Sequence, residues 1–405
     1  MTAAAAREGT PLDALIIGAG PSGLFTAVEL ARRGVDLRIV DAEPTAHRQS
    51  RATTVMPSSL ALFARAGLAG KFLEAGIRID RFTVRDTELA EVAMMDFAGL
   101  DTPWPFALTL PQWMTEQLLT DRLSDLGVEV ERGVTATDLD MRVDGTGVVL
   151  KGPVSSELVN ARAVVGAGGA HSVVRAAMRQ VLQGGTYDHR FAVADVEVET
   201  GLRRDEITRV IGERGIVLLA PLPDGRTLII MDLPATDVER LGREPKIDEM
   251  QRLLQGRLTA PPRILDLRWS SCFTLHHRIA KSFGDIRRYL VGDAAHLESL
   301  YSGMGMNAGL HDAANFGWKL GYCLKQQAHA GLLHTYVLER RPANERSMAI
   351  SDAGHRKVMD PPAPATTDDS SARGPDSVAP PPSVDARQTF LMLDEQYQGL
   401  PSSWG

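Results

Sequence analysis

Cysteine is scarce in this chain, and its scarcity excludes several kinds of scaffold and site. The 405 residues include two cysteines, Cys272 and Cys323, and neither has a neighbour at the spacing of metal ligands. The sequence therefore predicts no disulfide framework and no metal site, and it favours a reducing, cytoplasmic location. The simplest interpretation of both cysteines is a buried, unreactive thiol.

Long apolar runs and basic clusters are missing as well. No window approaches the roughly 20 apolar residues that a membrane-spanning helix needs, and the N-terminal stretch MTAAAAREGTPLD has no apolar core typical of a signal peptide. The net charge is −7 and the arginines are scattered, so no basic stripe is available to follow a phosphate backbone. We expect a soluble monomer or homodimer with no nucleic-acid or membrane partner.

The first clear motif is a strand, a glycine-rich turn and a helix. An apolar strand begins at Ala14, the turn reads Gly18-Ala-Gly-Pro-Ser-Gly23, and the next strand ends at Asp41. The first glycine permits the tight turn, the second lets a pyrophosphate approach the backbone, and the third lets helix and strand pack closely. The positive helix end faces the phosphates, and Asp41 is placed to accept hydrogen bonds from ribose hydroxyls. The motif predicts a bound dinucleotide in a doubly wound α/β domain.

The middle of the chain has a different pattern. Residues 191–199, 215–219 and 227–231 read as short strands, and Pro223-Asp-Gly225 between the last two is a turn signal. This pattern predicts a separate antiparallel sheet.

A second candidate site lies near residue 293. Gly292-Asp293 follows a predicted buried strand and precedes a long helix that runs from Met304 to about Lys325. An acid here is able to hold a distant part of an extended cofactor, the ribityl chain of a flavin. It is equally able to act as a simple helix cap.

Four blocks of sequence, in order, carry a resemblance to a known family. They are GAGPSG with Asp41; SRATTVMP with Arg51, together with Gln112 in LPQWMTEQLL; VVGAGGAHSVVR; and RYLVGDAAH through MNAGLHDAANFGWKLG. The chain resembles the FAD-dependent aromatic hydroxylases of the p-hydroxybenzoate hydroxylase superfamily, in particular those of polyketide tailoring pathways. The resemblance runs from about Asp13 to Arg346.

The resemblance implies an α/β fold in which a Rossmann-like FAD-binding domain is interleaved with a substrate domain built on an antiparallel β-sheet covered by helices. The implied segments are 1–80, 109–185 and 281–359 for FAD; 81–108 and 186–280 for a bulky hydrophobic substrate; 360–382 as a disordered linker; and 383–405 as a tail docked on the body. The implied FAD-binding residues are Gly18, Gly20, Pro21, Ser22, Gly23, Asp41, Arg51, Gln112, Gly169, Asp293, Gly303, Gly305, Met306 and Asn307.

Three departures from the family pattern affect the use of FAD rather than its binding. Gly168 replaces an acidic residue that, in the family, helps to organise FAD and the passage of NAD(P)H. Leu300 replaces a proline of the loop over the flavin ring, and Ser302 and Met304 replace a glycine and a glutamine beside it. NAD(P)H is therefore a doubtful cofactor.

Two functions remain open. One is an NAD(P)H- and O2-dependent monooxygenase that hydroxylates an aromatic or polyketide substrate. The other is a non-redox cyclase in which FAD is structural or electrostatic and a dry pocket folds a linear polyene for a Diels–Alder-type cycloaddition, as in relatives of spirotetronate biosynthesis. A cyclase requires neither hydride nor oxygen, so the three departures do not impair it. They therefore favour the cyclase as the prediction, and the monooxygenase is the alternative.

Catalytic residues are not identifiable from the sequence. The pair His276-His277 has no partner acid at motif spacing, and a surface or packing role is the expectation. His296 belongs to the family's loop and is expected to be structural. The strand Ile216–Leu219 fits either core packing or the wall of an apolar pocket.

Overall fold

The computed structural model describes residues 11–46, 52–238, 240–299 and 303–359. Within these ranges, no helix combines the length and the apolar character needed to cross a membrane. The predicted linker 360–382 and the tail 383–405 lie outside the described residues.

The described residues form strands and helices that we number in chain order. The strands are β1 Leu12–Ile17, β2 Leu37–Asp41, β3 Thr54–Val55, β4 Ile77–Ile79, β5 Arg81–Arg85, β6 Glu91–Asp96, β7 Ala107–Thr109, β8 Val130–Arg132, β9 Thr135–Met141, β10 Thr146–Lys151, β11 Ser156–Gly166, β12 Leu182–Val198, β13 Glu206–Gly212, β14 Gly215–Pro221, β15 Thr227–Leu233, β16 Ile264–Ala280, β17 Arg288–Leu290 and β18 His296–Leu297. The helices are α1 Pro21–Ala31, α2 Pro57–Arg65, α3 Ala69–Ala75, α4 Gln112–Asp125, α5 Val173–Ala177, α6 Ala235–Val238, α7 Ile247–Gln255, α8 Gly305–Leu324 and α9 Leu332–Met359.

The first sheet has a parallel centre. Strand β1 pairs in parallel with β2 and β11, β2 pairs in parallel with β8, and β11 pairs in parallel with β17. Strands β10 and β9 extend the sheet antiparallel, in the order β8-β2-β1-β11-β10-β9. Residues Ala14 to Ile17 are buried, as expected for an apolar strand that is covered on both faces.

Helices α1 and α8 pack side by side through small residues of α8. A Cβ atom built at Gly309 would lie 2.3 Å from Ser22 Oγ, and one built at Gly317 would lie 2.5 Å from the Cβ of Glu29. Because contacts advance along both helices together, the two helices run parallel. Their N-termini therefore lie next to each other, beside the ends of β1 and β17.

The second sheet is mainly antiparallel, in the order β18-β16-β12-β15-β14-β13-β5-β6. Side chains alternate between its faces. Helix α7 covers one face, with Met250 and Leu254 against Ile229. The other face, which includes Phe191 and Ile230, packs against residues of the small three-stranded sheet β3-β7-β4.

This architecture confirms the predicted fold class. The domain boundaries stay a prediction, and β12 starts at Leu182, ahead of the predicted boundary at 185/186. No helix was predicted for residues 57–75, where α2 and α3 form. The prediction of buried thiols was wrong, since Cys272 and Cys323 are half-buried, although burial still raises the pKa of both.

Candidate functional site

The three glycines of the turn between β1 and α1 have different roles. Gly18 has φ +112°, and a Cβ there would lie 2.4 Å from the backbone of Ala167. A Cβ at Gly23 would lie 2.0 Å from the carbonyl oxygen of Gly18. At Gly20, in contrast, a Cβ would meet nothing within 4 Å. Gly18 and Gly23 therefore serve the fold, whereas Gly20 faces open space at the start of α1.

Asp41 braces this turn from the end of β2. One carboxylate oxygen accepts a hydrogen bond from the backbone N–H of Ala19 at 2.6 Å, and the other accepts from the N–H of Glu43 at 2.9 Å. The acid lies at the rim of the turn, where the motif predicts a ribose.

The loop after β17 touches the same turn. Gly292 has φ +60°, and a Cβ there would lie 2.3 Å from Ser22 Oγ. Gly292 and Gly309 thus enclose the Ser22 side chain from two sides. Asp293 is exposed, although the residues on either side of it are buried, so this acid faces away from the core.

Arg175 joins the third block to this loop. Its guanidinium donates to the carbonyl oxygens of Gly169 and Ala294 at 3.3 and 3.1 Å, and also to that of Ala170. Gly169 has φ +67° and open space where a Cβ would stand. The first, third and fourth sequence blocks are far apart in the chain, yet they lie against one another here. The continuous surface that they form is called the cofactor wall below.

Asn307, in the first turn of α8, ties two loops together. Its Oδ1 accepts from the N–H of Met56 at 2.9 Å and from Ser59 Oγ at 2.8 Å. Its Nδ2 donates to the carbonyl oxygens of Thr54 and Gly303 at 2.9 and 3.0 Å. The amide is fully engaged by the chain, so Asn307 shapes the site by positioning its neighbours.

The remaining predicted FAD-binding residues lie mainly at the starts of helices. Gly305 and Met306 form the first turn of α8, and Pro21 is the first residue of α1. Gln112 begins α4, and its side chain donates to Glu116 Oε1 at 2.8 Å within the same helix. Arg51 lies outside the described residues.

A buried polar network stands behind the wall. Asp312, on α8, is 0% exposed and accepts from the N–H of Gly292 at 3.1 Å and from His296 Nε2 at 2.7 Å. Its other oxygen accepts from Arg340 Nε and Asn344 Nδ2, both at 2.9 Å. The roles of Asp312, Arg340 and Asn344 were not predicted from the sequence. For Asp312 the available signal was a charged residue among the glycine and apolar residues of α8.

Charge pairing outweighs burial in this network. Burial by itself would raise the pKa of Asp312, but His296 and Arg340 lower the pKa to about 2. Burial would lower the pKa of His296, yet Asp312 raises it above its usual value. Asp312 is therefore an ionised carboxylate at neutral pH, and it favours the charged form of His296. The expected structural role of His296 fits this placement.

Comparison with known proteins decides the family. A family model described as an FAD binding domain matches residues 11–351. The chain belongs to the FAD-binding domain family.

Relatives and neighbours agree with this membership. The 6-methylpretetramide 4-monooxygenase of Streptomyces rimosus is 35% identical over 83% of this chain and 60% of its own length. The structure of OxyS, an anhydrotetracycline hydroxylase from Streptomyces rimosus, is 29% identical with a TM-score of 0.72, covering 86% of this chain and 70% of that chain. The Diels-Alderase PyrE3 of pyrroindomycin biosynthesis is 25% identical with a TM-score of 0.70, covering 85% of this chain and 73% of that one.

Further curated relatives are also named as monooxygenases. The resemblance to aromatic hydroxylases of polyketide tailoring is thereby confirmed, and FAD is the cofactor of the family. The lean towards a cyclase is not supported, because the comparisons favour the monooxygenase alternative. The chain spans about three-fifths of the length of the Streptomyces relative.

The described wall fits FAD. The first turns of α1 and α8 contain no acidic residue, so neither helix places a carboxylate of its own at the positive end that would face a pyrophosphate. Gly20 and Gly169 leave open space beside them. The loop that carries Asp293, residues 292–299, is called the flavin loop below.

Two of the residues that depart from the family pattern, Gly168 and Met304, lie within the described residues. Gly168 has φ −78° and ψ 24°, and a Cβ there would lie 3.7 Å from the nearest atom, which is ordinary contact. Met304 is 1% exposed and its sulfur lies 3.2 Å from Ser347 Oγ. Leu300 and Ser302 lie outside the described residues.

The apolar face of the second sheet is only partly covered. Ile216, Leu218 and Phe273 belong to the cluster on this face and are half-buried, whereas Val217 and Leu219 are buried on the opposite face. Core packing is therefore confirmed for Val217 and Leu219, and the wall of an apolar pocket stays a prediction for Ile216 and Leu218. His276 contacts Thr186 at 2.9 Å, consistent with its expected packing role.

The described residues also line an open pocket of 610 Å³ at the rim of this sheet. Its walls include His189, Ile216, Asp232, Arg257 and Met359. The predicted FAD residues are absent from its described lining. The pocket is therefore separate from the cofactor wall. Among the described residues, no cluster of His, Cys, Asp or Glu has the makings of a metal site.

Proposed function

We propose that this protein is an NAD(P)H- and O2-dependent flavin monooxygenase that hydroxylates a bulky, apolar aromatic substrate of the polyketide type. The observation that carries the proposal is that the visible departures leave the cofactor wall intact. At Gly168 the turn keeps a backbone that any residue adopts. Met304 fills a buried position behind the flavin loop, where it is 1% exposed, and would present no side chain to the cofactor.

The chain would hold FAD along its wall. Gly20 and the start of α1 would bind the pyrophosphate through backbone N–H groups, Asp41 would accept from the ribose, and Asp293 would accept from the ribityl chain. Bound FAD supplies the capacity to take a hydride from a nicotinamide and to activate O2. The protein's part is to orient the substrate and to exclude water.

The apolar sheet face offers a place for the substrate. Ile216, Leu218 and Phe273 present half-buried apolar surface there, and planar aromatic molecules bind well to such surfaces. Relatives that are named for oxidising aromatic compounds support this substrate class.

A non-redox cyclase is the second candidate, because one observation favours it. Gly168 is exposed on the wall and carries no carboxylate, and PyrE3 shows that a Diels-Alderase exists on this fold. A cyclase would need the shape of the apolar face and no hydride.

The test is the reduction of the bound flavin. We expect excess NADPH or NADH, added without oxygen, to bleach the flavin absorbance, and anhydrotetracycline to serve as the first aromatic probe for acceleration. Dithionite is the control that reduces any accessible flavin. A flavin that dithionite bleaches and that neither nicotinamide reduces would overturn the proposal in favour of the cyclase.

Matched variants at residue 168 test the departure from the family pattern at that position. Gly168→Asp restores the carboxylate, and Gly168→Asn provides the same shape without charge. A charged hydrogen bond is worth about 1.5–3 kcal/mol, or a factor of roughly 10–150 in rate. We expect Gly168→Asp to accelerate reduction by NADPH within this range and Gly168→Asn to leave it unchanged. Equal rates in both variants would show that the carboxylate does not limit hydride delivery.

A further inference from the structure

A stripe of buried polar residues runs along one face of α9. Its members are spaced by three or four residues, as one face of a helix requires, and each is at most 4% exposed. They are Arg340, Asn344, Ser347, Ser351 and His355.

The stripe follows the flavin loop in order. Arg340 and Asn344 hold Asp312, which in turn binds the loop at Gly292 and His296. One turn later, Ser347 donates to Glu298 Oε2 at 2.9 Å.

The last members of the stripe reach Ser299. Ser351 donates to the carbonyl oxygen of Ser299 at 3.1 Å. The Nδ1 atom of His355 lies 3.1 Å from the hydroxyl of Ser299. The flavin loop is therefore held to α9 directly at Glu298 and Ser299, and through Asp312 of α8 at Gly292 and His296.

The C-terminal end of α9 also contacts the second sheet, which is called the substrate sheet below because we propose that the substrate binds to its apolar face. The imidazole of His355 lies 3.9 Å from the ring of Tyr187, centroid to centroid. The hydroxyl of Tyr187 donates to Asp352 Oδ1 at 2.8 Å. His355 therefore touches the flavin loop with its nitrogen and the strand β12 with its ring.

We propose that His355 is a positioning residue that couples the flavin loop to the substrate sheet. Binding of FAD fixes the loop at Asp293, the loop fixes His355 through Ser299, and His355 fixes Tyr187 at the start of β12. Such coupling is reciprocal, so a ligand that contacts Tyr187 changes the affinity for FAD by the same factor. The inference needs the binding of FAD and is independent of hydroxylation.

The first test measures the affinity of the apoprotein for FAD from the quenching of flavin fluorescence. His355→Phe keeps a ring against Tyr187 and loses the bond to Ser299, and Ser299→Ala removes the same bond from its other end. We expect each variant to weaken FAD binding by roughly fivefold to tenfold. The double variant should be no weaker than either single one, because both remove one interaction.

His334→Phe is the matched control, since His334 is exposed on the same helix. We expect it to bind FAD like the wild type. Wild-type affinity in His355→Phe, or additive losses in the double variant, would overturn the proposed positioning role. Thermal unfolding of the apoproteins separates a loss of fold from a loss of positioning.

The second test uses the wild-type protein and hydrogen exchange. FAD should slow amide exchange in residues 182–193 of β12 as well as in the flavin loop, and His355→Phe should remove the effect on β12 alone. Slowing that is confined to the flavin loop in the wild type would overturn the coupling. Neither test depends on turnover with a nicotinamide. Failure of the monooxygenase proposal would therefore not affect the coupling proposal, and the two can be distinguished.

Discussion

Asp312 offers the sharpest quantitative prediction, through the substitution Asp312→Asn. The carboxylate is buried and accepts from Gly292, His296, Arg340 and Asn344. The variant keeps the shape of the side chain and leaves a buried arginine and histidine without their counter-charge. Removing one partner of a buried ion pair costs about 3–5 kcal/mol.

The pKa gives a second measure of the same interaction. The pKa of Asp312 is lowered from 3.8 to about 2 in the folded protein. A difference of this size corresponds to about 2 kcal/mol of folding free energy. The two measures bracket an expected loss of roughly 2–5 kcal/mol at neutral pH.

The assay is urea unfolding of the wild type and the variant as a function of pH. Because the folded pKa is depressed, the carboxylate's contribution is present above about pH 4 and disappears as the pH falls towards 2. The difference between wild type and variant should therefore shrink over that range. His296 acts in the opposite direction: its raised pKa adds stability below its usual pKa of 6.5 that is lost as the pH rises through the raised value.

Asp101→Asn is the matched control, because Asp101 is exposed. It should unfold like the wild type. A variant Asp312→Asn that unfolds at the wild-type urea concentration, or a difference that does not change between pH 4 and 2, would refute the reasoning.

Two further predictions concern the cofactor wall. Gly18→Ala should lower the free energy of unfolding by about 1–3 kcal/mol or more, because it combines a positive φ with a backbone clash. Gly20→Ala, in contrast, should unfold like the wild type and bind FAD more weakly. Equal stability losses of the two variants in circular-dichroism melts would contradict this prediction. Asn307→Ala breaks four hydrogen bonds and leaves buried partners unmet, so a loss of about 2–4 kcal/mol is expected. Proteolysis should then become faster near Thr54, and an unchanged cleavage rate would argue against its role as a tie between loops.

The local parts of the site were predictable from the sequence. Gly18 and Gly23 fall at the positions that the strand–turn–helix spacing requires, and Asp41 follows at the end of β2. These features depend on residues close together in the chain, where backbone geometry and side-chain size decide the outcome.

The roles of single polar residues were less predictable. Asn307 matched a family motif that suggested contact with FAD, yet its amide binds Met56 and Thr54. Met304 suggested altered chemistry, and it is buried beside Ser347. Sequence shows which residue is present, but the direction of its side chain depends on partners that lie 43 positions away for Met304 and more than 250 for Asn307.

The sequence by itself determined the FAD motif, the α/β class with its antiparallel insert, and the family to which the chain belongs. Each depends on local spacing or on residue identity. Only the tertiary structure decided that Asp312 gathers Gly292, His296 and Arg340 into one buried network, and that α9 joins the flavin loop to the substrate sheet. Those contacts are long-range, and they form because folding removes these charges from water and leaves them only one another as partners.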